Sequence, residues 1–253
     1  MSAYPILEHD FLADGKFEPS RLIKPRDIPE HCTISFFREV NEKVIAEKQA
    51  KIAVANRWED GKHPLYEIEH RGRRLAFFHP GVGVPLAGGL LEEVIAFGCK
   101  KFVVIGGAGV LEKGMSVGIL ILVESALRDE GVSYHNIEPG REIHAQPQAL
   151  TAIRTALEAH GVPFVAGKTW TTDAAYRETQ SMIDARRAEG CLMVEMEAAA
   201  LLAVAQFRKV LLGQILYAGD DLSGVNWDKR CWQSRREVRE SLFWLAADAC
   251  MGM

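Results

Sequence analysis

Cysteine is scarce in this 253-residue chain: Cys32, Cys99, Cys191, Cys231 and Cys250 are odd in number, scattered and never spaced C-x-x-C. A disulfide framework or a structural zinc site needs paired thiols, so neither is indicated, and the pattern suits a reducing compartment. Long apolar runs are missing as well. The longest, 102–111 and 118–123, fall well short of the roughly 20 residues that cross a bilayer. The chain opens on acidic residues (Glu8, Asp10, Asp14), with no basic segment leading into an apolar one, so a cytoplasmic protein is expected. Nor is there an excess of base. Lys and Arg number 30 against 34 Asp and Glu, a net charge of −4, which argues against a dedicated nucleic-acid binder. The eight histidines form no H-E-x-x-H or i,i+4 ligand pair, so no metal site is expected. No G-x-S-x-G supports serine-hydrolase chemistry.

What remains is a chain of average globular composition, 48% hydrophobic and 25% charged, long enough for a real core and best counted as one domain. Residues 1–30, with Pro5, Pro19, Pro25 and Pro29, read as an N-terminal arm laid over a catalytic domain of residues 31–253. Candidate strands are 32–37, 65–70, 74–79, 101–106, 117–123, 163–169, 191–194 and 210–217. Between several of them, helical periodicity appears over 84–97, 148–160, 173–188, 196–207 and 235–249. Continuous apolar runs such as Phe102-Val103-Val104-Ile105 fit strands buried on both faces. The alternation implies one sheet covered by helices on both sides, an α/β fold.

In such sheets ligands bind beyond the carboxyl ends of strands. Four segments fall there: His79-Pro80-Gly81-Val82-Gly83-Val84, Gly106-Gly107-Ala108-Gly109, Glu195-Met196-Glu197 and Gly219-Asp220-Asp221. The first lacks the third glycine of a dinucleotide fingerprint, since Leu86 stands there; the second lacks the lysine and hydroxyl residue of a P-loop. Glu197 falls in the first turn of an apolar helix, where the macrodipole and free amides favour a carboxylate that can accept two sugar hydroxyls. Asp220 or Asp221, following an apolar strand, can serve as a proton donor if burial raises its pKa.

Gly81-Val82-Gly83, Gly106-Gly107-Ala108-Gly109, Thr171-Thr172-Asp173-Ala174-Ala175-Tyr176, Val194-Glu195-Met196-Glu197-Ala198-Ala199-Ala200-Leu201 and Ala218-Gly219-Asp220 occur in this order. Over roughly residues 30–250 the chain thereby resembles the nucleoside phosphorylase/uridine phosphorylase superfamily, which includes methylthioadenosine/S-adenosylhomocysteine nucleosidases. The V-E-M-E-A-x-A-L block is the most specific feature. The resemblance implies a single-domain three-layer α/β/α sandwich with a mixed central sheet and cleavage of a nucleoside N-ribosidic bond, purine favoured over uridine. By match, Glu197 grips the ribose hydroxyls, Met196 lines the sugar and Asp220 is the acid near the leaving base. Glu195, Gly81, Gly83, Gly106, Gly107, Ala108, Thr172 and Tyr176 line the substrate.

Departures are equally specific. The place of the family's G-D-P-x-R loop reads Phe36-Phe37-Arg38-Glu39-Val40; Val104 replaces an arginine, and Gly107 a hydroxyl residue. No Gln-x-Arg pair follows Tyr176, which weakens pyrimidine recognition. An anion would then be held by Arg38, Arg57 or Arg177, or by glycine-loop amides. The resemblance implies no cofactor, phosphate as co-substrate with water as its rival, and a homo-oligomer between dimer and hexamer. A dinucleotide-dependent oxidoreductase and a catalytically silent nucleoside-binding relative are the readings from other classes.

Overall fold

A computed structural model describes residues 4–8, 10 and 14–253; the rest of the expected N-terminal arm lies outside the described residues. The strands are β1 (His31–Ser35), β2 (Lys51–Trp58), β3 (Gly61–His70), β4 (Arg73–Phe78), β5 (Lys101–Val110), β6 (Leu120–Asp129), β7 (Glu142–His144), β8 (Phe164–Thr172), β9 (Cys191–Glu195) and β10 (Leu211–Asp221). The helices are α1 (Pro19–Leu22), α2 (Arg38–Lys48), α3 (Val84–Phe97), α4 (Ser133–Asn136), α5 (Pro147–Ala159), α6 (Gln180–Ala188), α7 (Ala198–Phe207) and α8 (Arg236–Met251).

All ten strands join one mixed sheet, ordered β10-β6-β8-β9-β5-β1-β4-β3-β2 with β7 beside β6. The expected α/β sandwich is the architecture found. Strand β5 is its axis. Phe102 and Val104 face a core shared with α3 and α7, while Val103 and Ile105 face a second core shared with α2, α5 and α8. Alternate side chains of a strand point to opposite faces, so a strand with helices on both sides must be apolar throughout. Beyond the layered picture, β5 also pairs with β10 and β9, which closes β5, β10, β6, β8 and β9 into a ring. Val110, Met115, Ile121, Val123, Met193 and Leu216 form a separate cluster there.

Four strands, β5, β6, β8 and β10, run three or more residues past their expected ends. Gly107 and Gly109, expected beyond a strand ending at 106, continue β5 from Gly106; the three pair with Tyr217, Val194 and Leu216 respectively. They are glycine because neighbours press on the strand. A β-carbon on Gly107 would stand 2.5 Å from the Trp232 ring, and one on Gly109 2.5 Å from Leu222. Sequence periodicity also left residues 38–64 without elements, where α2, β2 and the start of β3 form. Helix α2 buries only Val40, Asn41 and Val44, and the edge strand β2 buries no residue fully, so neither carries a strong apolar pattern.

Before β1, Glu18 is buried, accepts the Gly15 amide at 2.8 Å and pairs with Arg208 at 2.9 Å. Arg208 also pairs with Glu92 on α3. Helix α7 is buried from Ala198 to Ala205, and its depth fixes the position of its N-terminus. Leu201→Ala should therefore cost about 2–5 kcal/mol and lower Tm by roughly 5–15 °C in thermal or urea unfolding.

Candidate active site

Strand β9 delivers Glu195 to the carboxyl edge of the sheet, and the chain turns at once into α7. The first amides of a helix have no partner within it. Here Glu195 Oε2 accepts the Glu197 and Ala198 N–H groups at 2.8 and 2.7 Å. Thr171 Oγ1, from β8, accepts the Ala199 amide at 2.9 Å and donates to Glu195 Oε1 at 2.6 Å. Glu195, expected among the substrate-binding residues, thus spends both oxygens inside the protein. It is the support of the site, not its surface.

Glu197 is the N-cap residue of α7. Its Oε1 accepts the Gly83 N–H at 2.6 Å, across from the loop between β4 and α3. Gly81 and Gly83 have φ of +78° and +88°, a region where only glycine sits without strain, and a β-carbon on Gly81 would collide with Leu86 at 2.2 Å. The Met196 backbone N–H also acts on this carboxyl. Burial, and then the Glu195 charge, push the Glu197 carboxyl up to about 8 against the Gly83 N–H. Burial also raises Glu195, opposed by its donors. With three good donors on Glu195, the proton of the pair belongs on Glu197.

At the end of β10, Asp220 and Asp221 have separate tasks. Asp221 is ion-paired with Arg230, accepts the Ser223 amide at 2.7 Å and exchanges backbone hydrogen bonds with Asp228. It ties down segment 222–235. Among the described residues Asp220 has no ion pair; its Oδ2 accepts the Trp227 indole N–H at 2.6 Å. The same segment lays Trp232 over Gly107 and Gly219. Glu178, which sequence reasoning missed, follows the short turn Ala175–Arg177; burial and then the Asp220 charge raise its carboxyl to about 7.

Beside Gly81 opens a cavity of about 500 Å³, lined in part by Arg38, Asn41, Lys62, His63 and His79. Burial and the Arg38 charge lower the His79 pKa, so its ring is neutral at pH 7. Of the expected anion ligands, Arg38 thus reaches the neighbourhood of the Gly81 loop. Arg57, on β2, and Arg177 are exposed and line no part of that cavity. Phe36 stands over Gly106 and edge-on to His79, with ring centroids 6.0 Å apart. Tyr176 is fully exposed and lines nothing within this chain. Thr172 is buried, accepting the Ala174 amide at 3.2 Å. Ala108 faces the ring cluster, and Met196 is half-buried beside Glu197. A larger cavity, about 1010 Å³, lies between α8 and the starts of β6 and β8 and holds none of these residues.

The sequence profile of the phosphorylase superfamily matches residues 38–240. The chain belongs to the phosphorylase superfamily. It is 28% identical over 169 residues to guanosine phosphorylase of Halorubrum lacusprofundi, covering 65% of this chain and 68% of the relative. To uridine phosphorylase of Thermococcus kodakarensis it is 25% identical, covering 60% and 62%, so it spans somewhat less than two thirds of that relative. A purine nucleoside phosphorylase of Exiguobacterium is 24% identical, covering 72% and 77%. Among solved structures, uridine phosphorylase of Vibrio fischeri superposes with a TM-score of 0.77 at 20% identity, covering 90% of this chain and 94% of that one. AMP nucleosidase of Bacteroides thetaiotaomicron gives 0.72 at 20% identity, covering 88% and 87%. These two share the fold. No described helix of this superfamily member is long and apolar enough to cross a membrane.

The Glu195–Glu197 pair sets a stability test. In the unfolded chain a glutamate titrates near 4.5, whereas folded Glu197 titrates near 8. The folded state therefore binds the proton more tightly, and stability falls as pH rises from about 4.5 to about 8. Glu197→Gln removes that decline: its Tm should exceed that of the parent at pH 9 and match it near pH 4. Glu195→Gln offers one acceptor oxygen where three strong donors converge, and should cost about 1–3 kcal/mol at pH 7.

Proposed function

We propose that this chain cleaves the N-ribosidic bond of a nucleoside, purine before pyrimidine, with phosphate as the acceptor. The observation that carries this reading is the Glu197 carboxylate. It is fixed by the Gly83 amide, backed by buried Glu195, and keeps acceptor capacity beyond the Gly83 and Met196 amides that act on it. A buried acceptor held that way suits two vicinal hydroxyls of a sugar. Cleavage builds positive charge on the ribose, and an anionic clamp stabilises that charge more than it stabilises the ground state. Asp220, at the end of β10, would stand at the leaving base. Arg38, in the cavity beside Gly81, would hold the phosphate, and no cofactor is required. Relatives named guanosine and purine nucleoside phosphorylases support the choice of acceptor and of base. Arg57, on an exposed edge strand, would serve a neighbouring copy in a homo-oligomer.

A second reading, hydrolysis, has its own observation. Phe36 and Trp232 cover Gly106 and Gly107, so glycine in place of the family's hydroxyl residue at 107 opens no room for an anion there. Rate against phosphate concentration separates the two. Saturation with ribose 1-phosphate as product supports phosphorolysis; a phosphate-independent rate yielding free ribose supports water. Under phosphorolysis, Arg38→Ala should raise the phosphate KM about tenfold or more, a loss of roughly 1.4 kcal/mol or more.

The clamp also predicts a pH profile. The free site holds Glu197 protonated below about pH 8, while hydroxyl binding needs the carboxylate. For the parent protein, kcat/KM should rise about tenfold per pH unit up to that value. Glu197→Gln should lose at least ten- to a hundredfold in kcat/KM, the value of a charge-assisted hydrogen bond, and lose the rise with it. Parent-like kcat/KM in a folded Glu197→Gln protein refutes the clamp.

A further inference from the structure

Bare backbone, a carboxyl group and two indoles meet where β5 and β10 end. Gly107 and Gly109 are two residues apart on β5, so they present the same face of the strand, about 7 Å from one another. Trp232 lies against the first: a β-carbon on Gly107 would stand 2.5 Å from its ring, and one on Gly219, in β10, 3.2 Å. Asp220 lies against the second, its Oδ1 3.8 Å from the place of a Gly109 β-carbon. Trp232 and Asp220 are therefore neighbours on one face of β5. Gly109 pairs with Val194, and β9 runs on from there through Glu195 toward Glu197, so this face also borders the sugar clamp.

The segment 222–235 holds both indoles at this place, and its root is firmly tied. Leu222 donates its N–H to the Val110 carbonyl at 2.8 Å, and Arg230 pairs with Asp221 and donates to the Met115 carbonyl at 2.7 Å. Arg230 and Cys231 then take φ of +48° and +47°, a left-handed conformation uncommon for residues with a side chain. Trp232 follows. Its carbonyl accepts the Tyr217 hydroxyl, and the Tyr217 ring lies 5.9 Å from the indole. Yet neither indole is sealed. Trp170 in the core is fully buried, whereas Trp232 is half-buried and Trp227 is 62% exposed.

Resting on the nucleoside-cleaving reading above, we propose that Trp232 is a specificity-determining residue: a purine base stacks on the open part of its indole, with the ring edge toward Asp220. A flat heteroaromatic ring gains dispersion and quadrupole attraction against an indole, and the gain grows with the number of atoms in contact, which favours two fused rings over one. The edge of the base is read separately. Trp227 donates to Asp220 Oδ2 at 2.6 Å, which fixes the carboxyl group and leaves Oδ1 on the β5 side, where Trp232 lies. An N–H of the base would meet that oxygen. Trp232 has no part in bond breaking, so its contact is made equally in the ground state and the transition state and appears in KM rather than in kcat.

The test measures adenine binding by calorimetry and adenosine cleavage in the parent, Trp232→Ala, Trp232→Leu and Trp232→Phe. Trp232→Ala should weaken adenine binding and raise the adenosine KM about tenfold or more, with kcat within about threefold of the parent. Trp232→Leu fills space without offering a π face and should lose as much. Trp232→Phe keeps a ring and should recover most of the loss. Adenine should also quench the parent's tryptophan fluorescence, and Trp232→Phe should bind adenine with smaller quenching. Parent-like affinity and KM in Trp232→Ala, full recovery in Trp232→Leu, or undiminished quenching in Trp232→Phe each overturn the proposal. A parent that binds adenine through Trp232 but cleaves no nucleoside keeps the stacking assignment and overturns the reaction reading beneath it. A parent that cleaves adenosine with a KM indifferent to all three substitutions does the reverse.

Discussion

The site depends on one buried carboxylate, Glu195, both of whose oxygens accept donors from the protein itself. Glu195 ends β9 facing the first turn of α7, and its oxygens take the amides of Glu197 and Ala198 and the hydroxyl of Thr171. Those amides would otherwise be unsatisfied in a helix that is buried along nearly its whole length, at a cost of about 1–3 kcal/mol each. By closing them, Glu195 lets α7 begin one residue after Glu197 and fixes the direction in which Glu197 leaves the backbone. Gly83 then meets that side chain from the opposite element. The strand, the helix and the loop after β4 are held to a common point through a single side chain.

Glu195 and Glu197 form a carboxylate pair in which Glu195 takes three donors and Glu197 fewer. Donors stabilise the charged form and burial opposes it, so the pair divides into a fixed anion, Glu195, and a group that exchanges a proton near pH 8, Glu197.

Legibility from sequence followed the range of the contacts. Val194-Glu195-Met196-Glu197 was readable because acidic residues between an apolar strand and an apolar helix are a local pattern with a local cause. The core strands and α3, α5, α7 and α8 were readable for the same reason. What escaped was made by distant contacts. Gly107 and Gly109 looked like residues beyond the strand because their meaning depends on Trp232, Leu222 and Val194, far away in the chain. Helix α2 and strand β2 expose too much of their surface to show a period. Glu178 sits in an irregular segment with no repeat at all. The arginines Arg57 and Arg177 were chosen by type, and folding left both facing solvent.

The aromatic rings over the glycine run have a consequence for the acceptor. Phosphate is a compact dianion, and removing it from water needs fixed positive charge or several converging donors. Where the family resemblance leads one to look for those groups, this chain places Val104 at full burial and the apolar rings of Phe36 and Trp232. Positive charge is instead displaced toward α2 and β3, as Arg38 and Lys62 in the cavity beside Gly81, where Glu42 and Asp60 also lie. Asp60 is engaged by His63 at 2.9 Å, and His79 is kept neutral, so Arg38 and Lys62 are the cations left to balance an anion against Glu42. That balance is weaker than a phosphate dianion alone would demand. In the proposed reaction the acceptor is therefore the part that the charges of this chain serve least, while Glu197 would serve the sugar.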